Sequence, residues 1–290
     1  LIEKTLKEKI SLAKSRFADK NINLFLEKGC LVGSVDFLST KIFFENFAKS
    51  QNIKSKILAK FSNKKFFQVK KFSDIHKFPK SIRILPNGKN NLNSQIEEKE
   101  IVQGFQIFKN LIFVETEDFA NGWTEKENLK ILENFDEKKF RKNNFLKTKN
   151  QNLKIKNLIS LKKIFSKFSK KWLGTKYLLG GKSLDGIDCS GLTQKLFYEI
   201  FGFLLPRNSF KQSELFDAKK FEERDFLDFI FCKKKIENSN HIVICVDKNQ
   251  IFQASLSEKK VCFSSTEDFL EKYNVIKVCD IRKILNLKTK

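Results

Sequence analysis

Six of the chain's 11 glycines, Gly174, Gly180, Gly181, Gly186, Gly191 and Gly202, crowd into one short stretch of a 290-residue sequence. Glycine serves where the backbone turns tightly or where another chain segment must come close. Inside this stretch stands Asp188-Cys189-Ser190-Gly191-Leu192, followed by Leu196, Phe197, Ile200 and Phe201 on one helical face, with Gly202 as the expected helix end. Cys189 is therefore expected at a helix N-terminus. The helix dipole and the free N–H groups there favour an anion, so a thiol of ordinary pKa near 8.5 can fall to about 3.5–7.5 and become a nucleophile. The same N–H groups suit the oxyanion of an acyl-transfer intermediate.

A thiol nucleophile needs a base, and the chain has only 2 histidines. His76 precedes a run of short apolar segments and reads as a surface or linker residue. His241 opens the apolar run Ile242-Val243-Ile244-Cys245-Val246, which makes it the first residue of a buried strand downstream of the cysteine helix. A third polar group should orient the imidazole. Gln253, in Ile251-Phe252-Gln253-Ala254-Ser255, lies on the next strand. Side chains alternate along a strand, so His241 and Gln253 share a face only if the hairpin loop is odd or bulged. A three-residue loop at Asp247-Lys248-Asn249 pairs Val246 with Gln250 and Gln253 with Val243, diagonally beside His241.

The rest of the chain is less explicit. Ile2, Leu6, Ile10, Ala13 and Phe17 have helical spacing, as do Leu158, Leu161, Phe165, Phe168 and Trp172. Between Asn21 and Lys71 the runs Leu24-Phe25-Leu26, Leu31-Val32, Ile42-Phe43-Phe44 and Phe66-Phe67 read as strands. From Lys80 to Leu129 the expected strands are Ile82–Leu85, Ile101-Val102, Phe105–Phe108, Leu111–Val114 and a last one opened by Gly122-Trp123. Residues 133–156, rich in Lys and Asn, read as a linker.

The net charge of +23 raises the possibility of nucleic-acid binding. The lysines are spread through the chain among abundant Asn, Ile and 32 Phe, which points to the bias of an AT-rich genome rather than to a patch. No specific nucleic acid is expected as a partner. No apolar run approaches the roughly 20 residues of a membrane helix. The 6 cysteines have neither the spacing of a metal site nor the density of a disulfide scaffold. Neither a metal nor another cofactor is implied. Cys245 and Cys262 sit among apolar residues as reduced, buried thiols do. That favours a reducing, cytoplasmic setting, with the periplasm or the exterior as the alternative if an N-terminal signal has been removed.

From about residue 168 onward the sequence resembles the NlpC family of papain-like cell-wall cysteine peptidases. The resemblance rests on Tyr177, the pair Gly180-Gly181, Asp188-Cys189-Ser190-Gly191-Leu192, Leu205-Pro206-Arg207, and His241 with Gln253 twelve residues later. It implies Cys189, His241 and Gln253 as catalytic residues. It also implies that the Tyr177 hydroxyl points at the site and that Asp188 and Ser190 bind the amino end of the substrate. Two positions depart from the pattern: Leu227-Asp228-Phe229 lacks the glycine of a Gly-Asp-Leu segment, and Val243–Cys245 lacks another. The Gly122-Trp123 pair resembles the end of bacterial Src-homology-3-like domains.

The expected architecture is α+β. Residues 1–75 would hold a helix and a possible first Src-homology-3-like barrel, 76–132 such a barrel, 133–156 the linker, and 157–290 a papain-like NlpC peptidase domain. The resemblance implies hydrolysis of γ-D-glutamyl-diamino acid bonds in peptidoglycan stem peptides. An amidase or acyltransferase of the same fold and a non-catalytic wall-binding module are the alternatives.

Overall fold

The structure, a computed structural model, describes residues 2–17, 19, 21–61, 65–140, 158–237 and 239–281. Two compact units emerge: residues 1–117 with 121–136, and residues 118–120 with 137–290. The molecule is a mixed helix-and-sheet protein, as expected.

In the first unit, helix α1 (Ile2–Phe17) leads into strands β1 (Asn23–Glu27) and β2 (Cys30–Phe37), helix α2 (Leu38–Ser50) and strand β3 (Lys54–Phe61). Strands β1 and β2 pair antiparallel and β2 and β3 parallel, with α2 as the crossover. The segment Ile42-Phe43-Phe44, read as a strand from its apolar run, is helical. Buried Phe44, Phe47 and Ala48 recur at offsets of three and four residues, the helix period that a three-residue window hides. Seven further strands follow: β4 (Lys65–Val69), β5 (Ser73–His76), β6 (Leu92–Ile96), β7 (Ile101–Phe108), β8 (Leu111–Thr116), β9 (Asn121–Glu125) and β10 (Leu129–Leu132). They form one sheet in the order β10-β4-β7-β8-β9-β5-β6.

No closed barrel is detected among the described residues. The first 61 residues build a three-stranded sheet with a parallel pair, and the second sheet has two ends, β10 and β6. The boundary expected between residues 75 and 76 falls inside β5, because β4 and β5 hydrogen-bond into the same sheet as the strands that follow. The stretch Ile82–Leu85 makes only an isolated bridge, Ile84 to Asn90. Trp123 is fully buried, and its indole N–H donates to the Arg16 carbonyl at 2.5 Å. Residues 141–156 of the expected linker lie outside the described residues.

The second unit begins with α3 (Leu158–Trp172), whose stripe Leu161, Phe165, Phe168 and Trp172 is buried. Next come the short strands β11 (Lys182–Ser183) and β12 (Gly186–Ile187), helix α4 (Cys189–Phe201), helix α5 (Ser209–Ser213) and strand β13 (Ala218–Lys219). The chain closes through β14 (Phe229–Lys234), β15 (Asn240–Cys245), β16 (Gln250–Ser255), β17 (Lys260–Ser265), α6 (Thr266–Lys272) and β18 (Tyr273–Cys279). The sheet order is β13-β18-β14-β15-β16-β17. One face packs Phe229, Phe231, Ile242, Ile244, Phe252 and Ala254 against α3 and α4; the other packs Ile230, Cys232, Val243, Cys245 and Ile251 with Phe269 of α6. Among the described residues no helix is long and apolar enough to cross a membrane.

Candidate active site

Helix α4 starts at Cys189 because Asp188 caps it. Asp188 has an extended backbone, and its carboxylate accepts from the Gly191 N–H at 2.8 Å. The helix ends at Gly202 in the left-handed conformation, φ 74°, as the glycine suggested. Gly191 has a packing reason: a Cβ there would stand 2.5 Å from the Gly181 carbonyl oxygen. The Gly180-Gly181 loop can lie against the first turn of α4 only without that atom.

Asp188 does more than cap. Its two oxygens also accept from the Gly180 N–H at 2.7 Å, from the Ser190 hydroxyl at 3.2 Å, and from Arg207 Nη1 and Nη2 at 2.9 and 2.6 Å. Arg207 Nη1 also donates to Ser190 Oγ at 2.7 Å. Asp188, Ser190 and Arg207 are all buried. A carboxylate has about four acceptor positions, so Asp188 is saturated by the protein itself. Asp188 and Ser190, expected at the substrate's amino end, share internal partners that hold the cysteine turn. Arg207 belonged to a recognised segment but had no role, since a partner 19 residues away in sequence leaves no local signal.

Cys189 is partly buried and reduced. Burial pushes its thiol up to about 12, the Asp188 charge adds to this, and the N–H of Ile242, the Arg207 charge and the N–H of Ser190 pull it back. Desolvation thus opposes the lowering that the helix N-terminus and the two backbone donors favour. The Ile242 contact nevertheless places the sulfur against the backbone of β15, one residue from His241 in sequence.

His241 is buried, and burial lowers its imidazole to about 4, with the Gln253 hydrogen bond and the Asp188 charge acting upward. Burial thus favours the neutral form of both the thiol and the imidazole. His241 Nε2 lies 2.8 Å from Gln253 Oε1, and Gln253 Nε2 donates to Ser264 Oγ at 2.8 Å. The hairpin has the three-residue loop: Ile244 faces Phe252, Cys245 faces Ile251, and the Val246 N–H donates to the Gln250 carbonyl at 2.9 Å. The same register carried on sets residue 253 opposite 243. Tyr273 stacks on the His241 ring with centroids 5.1 Å apart and planes 24° apart. Neither Ser264 nor Tyr273 was marked by the sequence, since each reaches the site only through strand pairing.

Tyr177 packs with Cys189 against the larger core of this unit. Its phenol is pushed above the ordinary tyrosine value by burial first and then by Cys189 and Asp188. His76 does not join the site. It is a buried strand residue of the first unit, not the surface or linker histidine expected, and burial lowers its imidazole. Its flanking polar residues concealed a strand whose pairing partners lie 16 or more residues downstream. Among the described residues no three His, Cys, Asp or Glu side chains are grouped to hold a metal ion.

Residues 174–279 match the model of the NlpC/P60 family. The murein DD-endopeptidase MepS/murein LD-carboxypeptidase of Escherichia coli is 34% identical over 104 residues, 36% of this chain and 55% of that protein. A probable endopeptidase NlpC homolog of Haemophilus influenzae is 34% identical over 98 residues, 34% of this chain and 51% of that one. The gamma-DL-glutamyl hydrolase of Bacillus subtilis is 28% identical over 121 residues, 41% of this chain and 28% of that protein. The chain thus spans about half the length of the first two relatives and less of the third. Among solved structures, NlpC1 from Trichomonas vaginalis aligns over 75% of this chain and 69% of its own, at 16% identity and a TM-score of 0.37. The segment that carries Asp188, Cys189, His241 and Gln253, residues 174–279, is an NlpC/P60 domain.

Proposed function

We propose that the protein is a cysteine peptidase acting on peptidoglycan, with Cys189 as nucleophile, His241 as base and Gln253 as the group that orients it. The observation that carries this reading is the 2.8 Å contact of Gln253 Oε1 with His241 Nε2, beside a cysteine at a helix N-terminus. With Nε2 engaged, Nδ1 is the nitrogen left to take the thiol proton. Proton transfer accompanies attack of the sulfur on a peptide carbonyl carbon. The oxyanion then meets N–H donors at the start of α4 that the Asp188 cap does not engage. As the C–N bond breaks, His241 returns the proton to the leaving amine and a thioester remains. Water, deprotonated by His241, attacks the thioester, and the carboxylic acid and the thiol are released.

The bond we favour is the γ-D-glutamyl-diamino acid bond of stem peptides. The gamma-DL-glutamyl hydrolase among the relatives supports it; the E. coli relative, named for DD-endopeptidase and LD-carboxypeptidase activities, marks the competing bonds. The test is mass spectrometry of products from free stem peptides and from intact wall, with Cys189→Ala as control. New amino groups on the diamino acid are the expected result. Cleavage only between D-alanine and diamino acid would replace the bond assignment, and an acyl product carried on an added amine would indicate a transferase. Equal products from Cys189→Ala would overturn the nucleophile.

A further inference from the structure

Strand β18 pairs with β14 in two registers. Phe229, Ile230 and Phe231 face Cys279, Val278 and Lys277; beyond them Cys232, Lys233 and Lys234 face Val275, Asn274 and Tyr273. Ile276 has no opposite number, and its side chain is exposed. It is a bulge, and one inserted residue reverses the faces of all the side chains beyond it. Without it, Tyr273 and Val275 would share the face of Lys277. With it, they come round to the face of Ile230, Cys232 and Val278. His241, which pairs with Cys232 from β15, has that face too.

Tyr273 therefore sits two strands from His241, with the short side chain of Cys232 between them. Its ring lies over the imidazole at 5.1 Å, and Phe269 of α6 backs it, also at 5.1 Å with planes 18° apart. Tyr273 is buried. Its phenol is pushed up to about 12 by burial first and then by Cys232 and Cys189, so the hydroxyl stays neutral near the nucleophile. The Gln253 amide holds one edge of the imidazole, which fixes where Nε2 points. An edge contact alone leaves the ring able to tilt about that hydrogen bond. A stacked ring removes this freedom.

We propose that the Ile276 bulge makes Tyr273 a positioning residue for the base: its ring sets the plane of His241 so that Nδ1 is aimed at Cys189. The proposal rests on the assignment of His241 as the base of Cys189. Its test compares Tyr273→Phe with Tyr273→Leu and, should the leucine variant not fold, Tyr273→Met. Three readouts are taken on the full chain: the NMR shifts of the His241 ring protons, the His241-dependent rate of Cys189 alkylation by iodoacetamide, and kcat and KM on stem peptide.

Loss of the ring current should move the His241 protons downfield in the leucine or methionine variant. Alkylation and kcat should fall roughly three- to tenfold, with KM within about twofold. Tyr273→Phe should restore all of these. Alkylation at the wild-type rate in the aliphatic variant, or a phenylalanine variant as impaired as the aliphatic one, would overturn the proposal. A wild type that shows the stack and His241-dependent alkylation but cleaves no wall peptide would count against the peptidase reading and leave the role of Tyr273 standing.

Discussion

His241 and Gln253 stand on neighbouring strands with Nε2 and Oε1 2.8 Å apart. The contact exists because the hairpin between β15 and β16 turns through three residues. A two-residue loop would have put the amide on the opposite face of the sheet. The other end of the amide donates to Ser264 Oγ, which leaves its oxygen free to accept from the imidazole.

Gln253→Ala should therefore lower kcat by roughly 10²-fold through lost orientation, with the unfolding midpoint little changed. Ser264→Ala removes only the support of the amide and should cost less, roughly three- to tenfold, with Ser264→Thr recovering most of it. Steady-state kinetics on a stem peptide, paired with thermal unfolding, separates orientation from folding. An undiminished Gln253→Ala enzyme would leave a Cys-His dyad.

The pH profile follows from burial. His241 is held down to about 4, and a general base works in its neutral form, which is populated above its pKa. The value of kcat/KM should stay high as pH falls through about 6.5, the ordinary histidine value, and decline only on approach to about 4. Folding stability has the same sign. Between these values the unfolded chain binds a proton at His241 that the folded chain does not, so stability at this residue is lost as pH falls. A rate profile with its acid limb at 6.5 or above would contradict the burial argument.

The Asp188–Arg207 pair gives a stability prediction. Arg207→Met would leave a buried carboxylate with hydrogen bonds but no counter-charge, at a cost of about 3–5 kcal/mol. Arg207→Lys keeps the charge, loses the fork on the two oxygens and should cost less. Adding Asp188→Asn to Arg207→Met should recover part of the loss, since it removes the stranded charge. Urea unfolding reads all three, and an Arg207→Met loss below about 1 kcal/mol would mean that Asp188 is less dependent on Arg207 than its geometry indicates.

What the sequence disclosed followed the range of each signal. The cap at Asp188, the glycine end at Gly202 and the stripe of α3 are local, and each can be seen within a few residues. The Gln253 register could be derived because strand alternation and a loop length are also local. Tyr273 could not, because its face depends on an unpaired Ile276 opposite a strand some 45 residues earlier. Helix α2 reads as a strand for a related reason. The short apolar run Ile42-Phe43-Phe44 gives no period until Phe47 and Ala48 are included. The pairing of Asp188 with Arg207 was hidden because the two lie 19 residues apart in sequence.

The missing glycine of the Gly-Asp-Leu segment supplies the last prediction. Leu227 sits at φ 70°, in the left-handed region where a glycine carries no Cβ penalty. Its N–H donates to the Cys245 carbonyl at 2.8 Å, and the next residue, buried Asp228, is held by Lys219 at 2.5 Å. The backbone is thus fixed in this conformation by its neighbours, and the leucine bears a strain of about 1–2 kcal/mol. Against that, its side chain is 1% exposed in the core beneath α4, and emptying such a site costs about 2–5 kcal/mol. Glycine also adds freedom to the unfolded chain, which destabilises further. The packing effect is the larger, so Leu227→Gly should destabilise by roughly 1–3 kcal/mol even though it relieves the backbone. Leu227→Ala, which keeps the strain and also empties the core, should be worse than Leu227→Gly, the reverse of the usual order of these two residues. Denaturant unfolding of the two variants decides the matter: an alanine variant more stable than the glycine variant would show that the left-handed backbone at Leu227 relaxes at little cost.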